Sequence, residues 1–199
     1  NKKISIIMDV GAPPPTKFSS NYQSGALSFE INSNGKKLLS NCGYYTGNKS
    51  KLCRLSKSTA TQSTLTIDDN SSCNFKKYDQ NYFVSKGLKI LKKNIIFEKN
   101  YWKISASHDG YQKKYNIVHD REIEFYPEQF KFIGTDKILN KKDNINIKFE
   151  VRFHLEPSIK LMKTQDNKTI LIELEDEGWK FTCDNYDISI DNGLYFGNK

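Results

Sequence analysis

Turn-forming residues recur roughly every 8–12 positions along this chain, and the segments between them alternate apolar and polar side chains. A period of two puts one set of side chains on each face of a strand and is incompatible with the 3.6-residue period of an amphipathic helix. Residues 26–31 show the pattern cleanly, with Leu27, Phe29 and Ile31 on one face. Asn32-Ser-Asn-Gly35 supplies a tight turn and residues 36–40 return, so 26–41 reads as a hairpin. Residues 63–67 alternate again and stop at Asp68-Asp-Asn70, and residues 89–98 and 101–107 flank a second hairpin turn at Lys99-Asn100. Further strand-like runs cover 4–9, 115–125, 129–133, 145–155, 169–174, 179–183 and 186–190. Turn signals stand at Gly134-Thr-Asp136, Asp143-Asn144, Asp166-Asn167, Glu177-Gly178 and Asp184-Asn185. Pro13-Pro-Pro15 stiffens a polar loop from about 11 to 25. The expectation is an all-β fold: one domain over 1–199, a large antiparallel two-sheet β-sandwich of about a dozen strands.

Composition narrows the partners. The chain carries 31 Lys and Arg against 23 Asp and Glu, a formal charge of +8. Only Arg54, Arg121 and Arg152 are arginines. Specific DNA readers rely on arginine forks for guanine, so specific nucleic-acid recognition is not expected. A lysine-rich surface suits an acidic polysaccharide, although a joint excess of Lys, Asn and Ile is also what an AT-rich genome encodes. No run approaches the 18 or so apolar residues of a membrane-spanning helix, so no such span is expected. The chain opens at Asn1-Lys-Lys-Ile-Ser-Ile-Ile7 without Met or a leader-like segment, and the expectation is a piece of a longer protein.

Cys42, Cys53, Cys73 and Cys183 form no C-x-x-C pair and match no zinc ribbon. They are expected to be free, mostly buried thiols, with one disulfide left open if the protein is exported. Among the histidines, His108 ends a strand in Ser107-His-Asp-Gly-Tyr111, and His119 lies eleven residues on. In a hairpin the two would approach each other, with Tyr111 nearby; such a trio serves either acid–base chemistry or the anchoring of a loop. His154 alone reads as a hydrogen-bonded strand residue.

Five short motifs stand in order: Leu27-Ser-Phe-Glu30, Leu38-Leu-Ser-Asn-Cys-Gly43, Gln62-Ser-Thr-Leu-Thr-Ile-Asp-Asp69, Ser107-His-Asp-Gly-Tyr111 and Arg152-Phe-His154. Together they resemble the C-terminal domain of the bacterial heparinase II/III family of polysaccharide lyases, along nearly the whole chain. The resemblance implies a β-sandwich that follows an N-terminal helical toroid, a domain this chain lacks. It implies cleavage of uronic-acid polysaccharides, such as glycosaminoglycans or alginate, by β-elimination, with Tyr or His taking the C5 proton. It also implies a bacterial periplasmic or cell-envelope location.

The family's sandwich carries H-x-H-x-D-x-x-S-F, and aligning it on Ser28-Phe29 puts Asn21 at the first, catalytic His and Gln23 at the second, zinc-binding one. Gly25 takes the place of the Asp. In the later V-D-P-G and H-N-T motifs, Asn41 replaces the Asp and Gln62 the His. Gln23, Asn41 and Gln62 are thus degenerate metal-site positions, and amides are poor zinc ligands. No metal and no cofactor is expected; the three amides are expected to hydrogen-bond one another instead. Asn21 cannot shuttle a proton but can donate a hydrogen bond to a sugar. The resemblance puts His108 and Asn21 at the catalytic positions, with His108 facing an inter-domain cleft. Gln23, Tyr44 and Tyr111 are expected near substrate. The functional expectation is the C-terminal domain of a lyase, inactive as an isolated fragment. The alternatives are a catalytically lapsed carbohydrate-binding module of an envelope protein, or a plain structural sandwich.

Overall fold

The computed structural model describes residues 3–140 and 146–197. Strand accounts for 46% and helix for 9%. In chain order the strands begin with β1 (Ile4–Met8), β2 (Phe29–Ser33), β3 (Lys36–Ser40), β4 (Leu65–Ile67) and β5 (Asn74–Tyr78). Next come β6 (Asn81–Lys86), β7 (Ile90–Glu98), β8 (Tyr101–His108), β9 (Ile117–Tyr126) and β10 (Lys131–Asn140). The series ends with β11 (Phe149–Val151), β12 (His154–Leu155), β13 (Lys160–Lys163), β14 (Thr169–Leu174) and β15 (Glu177–Thr182). Two short α-helices, α1 (Ser50–Ser56) and α2 (Gln112–Tyr115), and two 3-10 turns, Thr16–Phe18 and Thr59–Thr61, interrupt them. Among the described residues no helix is long and apolar enough to cross a membrane.

The strands pair antiparallel throughout, but they do not make two large sheets. Their orders are β1-β2-β3-β12, β10-β9-β8-β7, β13-β14-β15, β11-β4 and β5-β6. The expected sandwich therefore gives way to several small sheets. One cause is visible at 145–155, expected as a single strand. Phe149–Val151 pairs with β4, whereas His154–Leu155 pairs with β3, so the chain changes sheets at Arg152-Phe153. Ile145, which opens that run, and the Asp143-Asn144 turn lie outside the described residues.

Hydrophobic burial ties the sheets together. Phe29, Ile31, Leu38 and Leu39 of the β2–β3 hairpin meet Ile123 of β9 and Ile170, Ile172 and Leu174 of β14. Each fully buried side chain of this kind contributes about 1.5–3 kcal/mol. A second cluster joins Leu65 and Ile67 to Tyr111 and Ile117. A third, around Ala26, Cys73 and Leu88, underlies the polar loop before β2.

The two expected hairpins form. Asn34 and Gly35 turn with positive φ (49° and 80°), as the backbone twist of a two-residue hairpin requires. Glu98 pairs with Tyr101 across the second turn. Elsewhere the ladder overrides the local turn signal. Gly134-Thr-Asp136 lies inside β10, opposite Ile123, Glu122 and Arg121; the turn falls earlier, where the Phe130 N–H donates to the Pro127 carbonyl. Gly178 is likewise paired within β15, with Glu173 opposite. The β5–β6 hairpin and α1 were not expected. The hairpin is masked by its lysines, and seven residues are too few for a helical period to register. Residues 186–190 form no strand in the structure.

Candidate functional site

The expected site residues fall into two groups, one enclosed and one at the surface. The enclosed group stands on the inner face of the β10-β9-β8-β7 sheet. His108 lies directly opposite His119, and Arg121 directly opposite Asp136. Cross-strand neighbours of this kind touch because the pleat points them the same way. His108 is 1% exposed, and His119 and Arg121 are 0% exposed.

The hydrogen bonds fix the protons. The Gly110 N–H donates to His108 Nδ1 at 3.0 Å, so the His108 proton sits on Nε2. That nitrogen donates to His119 Nδ1 at 3.3 Å, and His119 Nε2 donates to Asp136 Oδ1 at 2.6 Å. Arg121 forks onto the same carboxylate, Nε to Oδ1 at 2.7 Å and Nη2 to Oδ2 at 3.0 Å. Its Nη1 reaches across to the carbonyls of Leu27 (2.9 Å) and Ser63 (2.6 Å).

Burial pushes both imidazoles toward the neutral form. His119 and Arg121 reinforce the effect at His108, whereas Asp136 opposes it at His119. Burial alone would raise Asp136, but Arg121 and the His119 N–H outweigh it and hold the carboxyl well below the usual range. Both His108 nitrogens are therefore engaged inside the domain. The expected placement of His108 at an open cleft does not hold in this domain, because the β8–β9 ladder carries the ring inward. Tyr111 is also enclosed, at 1% exposure. Its hydroxyl donates to the Leu65 carbonyl at 2.9 Å, which leaves no surface for a sugar.

The surface group surrounds Asn21, which is exposed on the loop before β2. Gln23 uses both amide hydrogens, donating to the carbonyls of Gly43 (2.8 Å) and Ser56 (2.5 Å). It thereby ties this loop to the β3–α1 connection and to the end of α1. Tyr44, half-buried, lies over the Lys57 ammonium at 5.0 Å.

The expected mutual bonding of the three amides is not what forms. Asn41 donates to Glu30 Oε1 at 3.1 Å and accepts from the Ser63 N–H at 2.7 Å. Gln62, 4% exposed, donates to Thr61 Oγ1 at 3.2 Å. Its Oε1 fills the space beside Gly25, where an added Cβ would stand 2.9 Å away. Gln23 and Asn41 thus tie different pairs of segments, whereas Gln62 bonds its own neighbour and packs beside Gly25. Among the described residues no three His, Cys, Asp or Glu side chains gather as a metal site would require, and an amide set is a poor fit for zinc.

A buried hydroxyl cluster joins the two groups. Thr59 Oγ1 donates to the Ser24 carbonyl at 2.8 Å and accepts from the Ser72 N–H at 3.0 Å. Ser24 Oγ accepts from the Cys73 N–H at 2.9 Å. Gly110 packs against Ser72 so closely that a Cβ there would lie 2.7 Å from its carbonyl oxygen.

The four cysteines are free, with Cys42 and Cys73 buried and Cys53 and Cys183 half-buried. His154 Nε2 donates to the Ala60 carbonyl at 3.0 Å, so its Nδ1 accepts from the Cys42 thiol at 3.1 Å. Burial pushes that thiol up to about 11, against a lowering pull from Arg152. The pair is a neutral hydrogen bond and lacks the thiolate a nucleophile needs.

Sequence reasoning missed Arg121, Asp136 and Lys57. The arginine had a readable signal, its rarity in a lysine-rich chain. Arg152 likewise forks onto Glu150, with Nε at 3.1 Å. Lys57 had no signal among so many lysines.

Residues 1–199 match the family described as "Heparinase II/III-like, C-terminal". The fold matches two solved structures from Pedobacter heparinus. One is the heparan sulfate lyase HepC, at 18% identity with a TM-score of 0.63. The other is a mutant of that enzyme, at 16% identity with a TM-score of 0.64. Each match covers 86% of this chain and 24% of the other, so the chain spans about a quarter of the length of those proteins. No curated protein matches the chain.

Proposed function

The chain belongs to the heparinase II/III-like C-terminal family, and on that premise we propose that it binds acidic, uronic-acid polysaccharide and helps a longer lyase cleave it by β-elimination. One observation carries the reading: Asn21, which the resemblance sets at the family's catalytic histidine, is exposed on a loop braced through Gln23, with Tyr44 nearby across Lys57. An Asn amide can donate to a sugar carboxylate or hydroxyl, and an aromatic ring offers a flat face to a pyranose. His108 and Tyr111 act in this reading as the enclosed framework behind that surface. Proton abstraction falls to groups outside this chain, in a helical toroid domain of the same protein. The lysine surface adds general attraction for the polyanion, without any single lysine assigned as a ligand. The expected setting is the bacterial periplasm or cell envelope.

A second reading, a carbohydrate-binding domain whose enzyme has lost catalysis, is favoured by Asn21 itself, which cannot shuttle a proton. The full-length protein, offered heparan sulfate and alginate, decides between them. Cleavage raises the ultraviolet absorbance of an unsaturated uronate. Binding without that rise supports the second reading, and neither binding nor cleavage overturns both.

A further inference from the structure

Lys57 is 2% exposed, yet among the described residues no carboxylate lies within ion-pair distance of its ammonium. A buried ammonium is costly unless its donors are met. Here they are met by backbone: Lys57 Nζ donates to the carbonyl of Ser20 and, at 3.2 Å, to that of Tyr22. These are the two residues that flank Asn21. Aromatic faces enclose the rest of the group, with the Tyr44 ring centroid at 5.0 Å and that of Phe75 at 5.8 Å. The Ser24 N–H, on the far side of the same loop, donates to Lys57's own carbonyl at 2.9 Å. Lys57 thus grips the Asn21 loop from its main chain and its side chain together.

We propose that Lys57 is a positioning residue: its enclosed ammonium fixes the loop carrying Asn21, and the Tyr44 ring beside it, in the arrangement that meets the acidic sugar. The sugar-facing half of this rests on the proposed function; the hold on the loop does not. With its head group enclosed, Lys57 does not touch the polymer. It acts through the two carbonyls and the ring. An isosteric apolar residue would leave both carbonyls without a donor and loosen the loop around Asn21, although the Ser24 N–H would still reach the Lys57 carbonyl and Gln23 would still brace the loop's far end.

Hydrogen exchange and heparan sulfate or alginate binding, measured on the full-length protein and its Lys57→Met variant, test this. The expected result is faster amide exchange at 19–24, unchanged protection in β8 and β9, and binding weakened about ten-fold. The salt dependence of binding stays as in the unsubstituted protein, because no ionic contact with the polyanion is lost. A reduced salt dependence would show a direct contact and overturn the positioning role. Exchange at 19–24 equal to the unsubstituted protein overturns the proposal, whatever the sugar does. A loosened loop with undiminished binding overturns its sugar-facing half. If the unsubstituted protein binds neither polymer, the functional reading fails, and the exchange data alone decide whether Lys57 fixes the loop. Should Lys57→Met not fold, Tyr44→Leu and Phe75→Leu each remove one aromatic face, and a smaller loosening of the same segment is expected from each.

Discussion

Arg121 donates to the carbonyl of Leu27 at 2.9 Å, and Leu27 is a fully buried, non-glycine residue with a φ of 61°. A leucine in the left-handed region costs roughly 1–2 kcal/mol, so the surroundings must hold it there. The Leu27 N–H, bonded to the Asp9 carbonyl at 2.8 Å, completes the hold. The bend turns the chain from the Asn21 loop into β2, and the guanidinium that secures it is charge-paired with Asp136.

Breaking that pair destabilises the fold strongly. Asp136→Ala leaves the Arg121 guanidinium buried without its counter-charge, and a loss of about 3–5 kcal/mol is expected. Urea denaturation measures it. A loss below about 1 kcal/mol would mean that the pair does not hold the sheet to the loop.

Acid weakens the fold below neutrality. His108 and His119 are held neutral when folded, whereas in the unfolded chain they titrate near their ordinary value of about 6.5. Their contribution is therefore complete above about pH 6.5 and is lost as pH falls below it, because the unfolded state takes up the protons. Each contributes a slope of up to about 1.4 kcal/mol per pH unit. Asp136, lowered when folded, adds a further loss only below about pH 4. Urea midpoints at pH 8, 6.5 and 5.5 should fall in that order. A flat profile from 8 to 5.5 contradicts the neutral, buried pair.

Thiol labelling separates the cysteines. Cys42, buried and bonded to His154, and Cys73, buried and raised by its surroundings, should resist maleimide in the native protein at pH 7.5. Both should react once the chain is unfolded. Cys42 labelling as fast as the half-buried Cys53 would show that the Cys42–His154 pair is open to solvent.

Zinc should leave the thermal midpoint unchanged, as should EDTA. Gln23, Asn41 and Gln62 spend their amides on separate backbone and side-chain partners, so a cation gains no ligand set. A rise of several degrees with equimolar zinc would contradict the expectation that these residues hold no metal.

Asn21→Ala removes an exposed side chain and should leave stability within about 0.5 kcal/mol of the starting protein. It should weaken heparan sulfate or alginate binding by the full-length protein. Unaltered affinity, measured by calorimetry, would place the sugar elsewhere.

Period-two alternation in 26–31 and the Asn-Gly turn after it determine the β2–β3 hairpin, since both depend only on neighbours in the chain. The same is true of the β7–β8 hairpin and of the approach of His108 to His119 across β8 and β9. Sequence order also sufficed for the family resemblance, because Ser28-Phe29, Ser107-His-Asp-Gly-Tyr111 and Arg152-Phe-His154 stand in that order along the chain. What it could not determine was burial. Asp136 carries a turn signal, and only the β9–β10 ladder, which sets it opposite Arg121, makes it a strand residue. Lys57 is one lysine among many until Ser20, Tyr22, Tyr44 and Phe75 close around it. Residues 145–155 alternate like one strand, and only the separate edges of β3 and β4 divide them. Local pattern sets which face a side chain takes, while desolvation and long-range partners, which come from residues distant in the chain, decide whether that face meets water, a charge or another side chain.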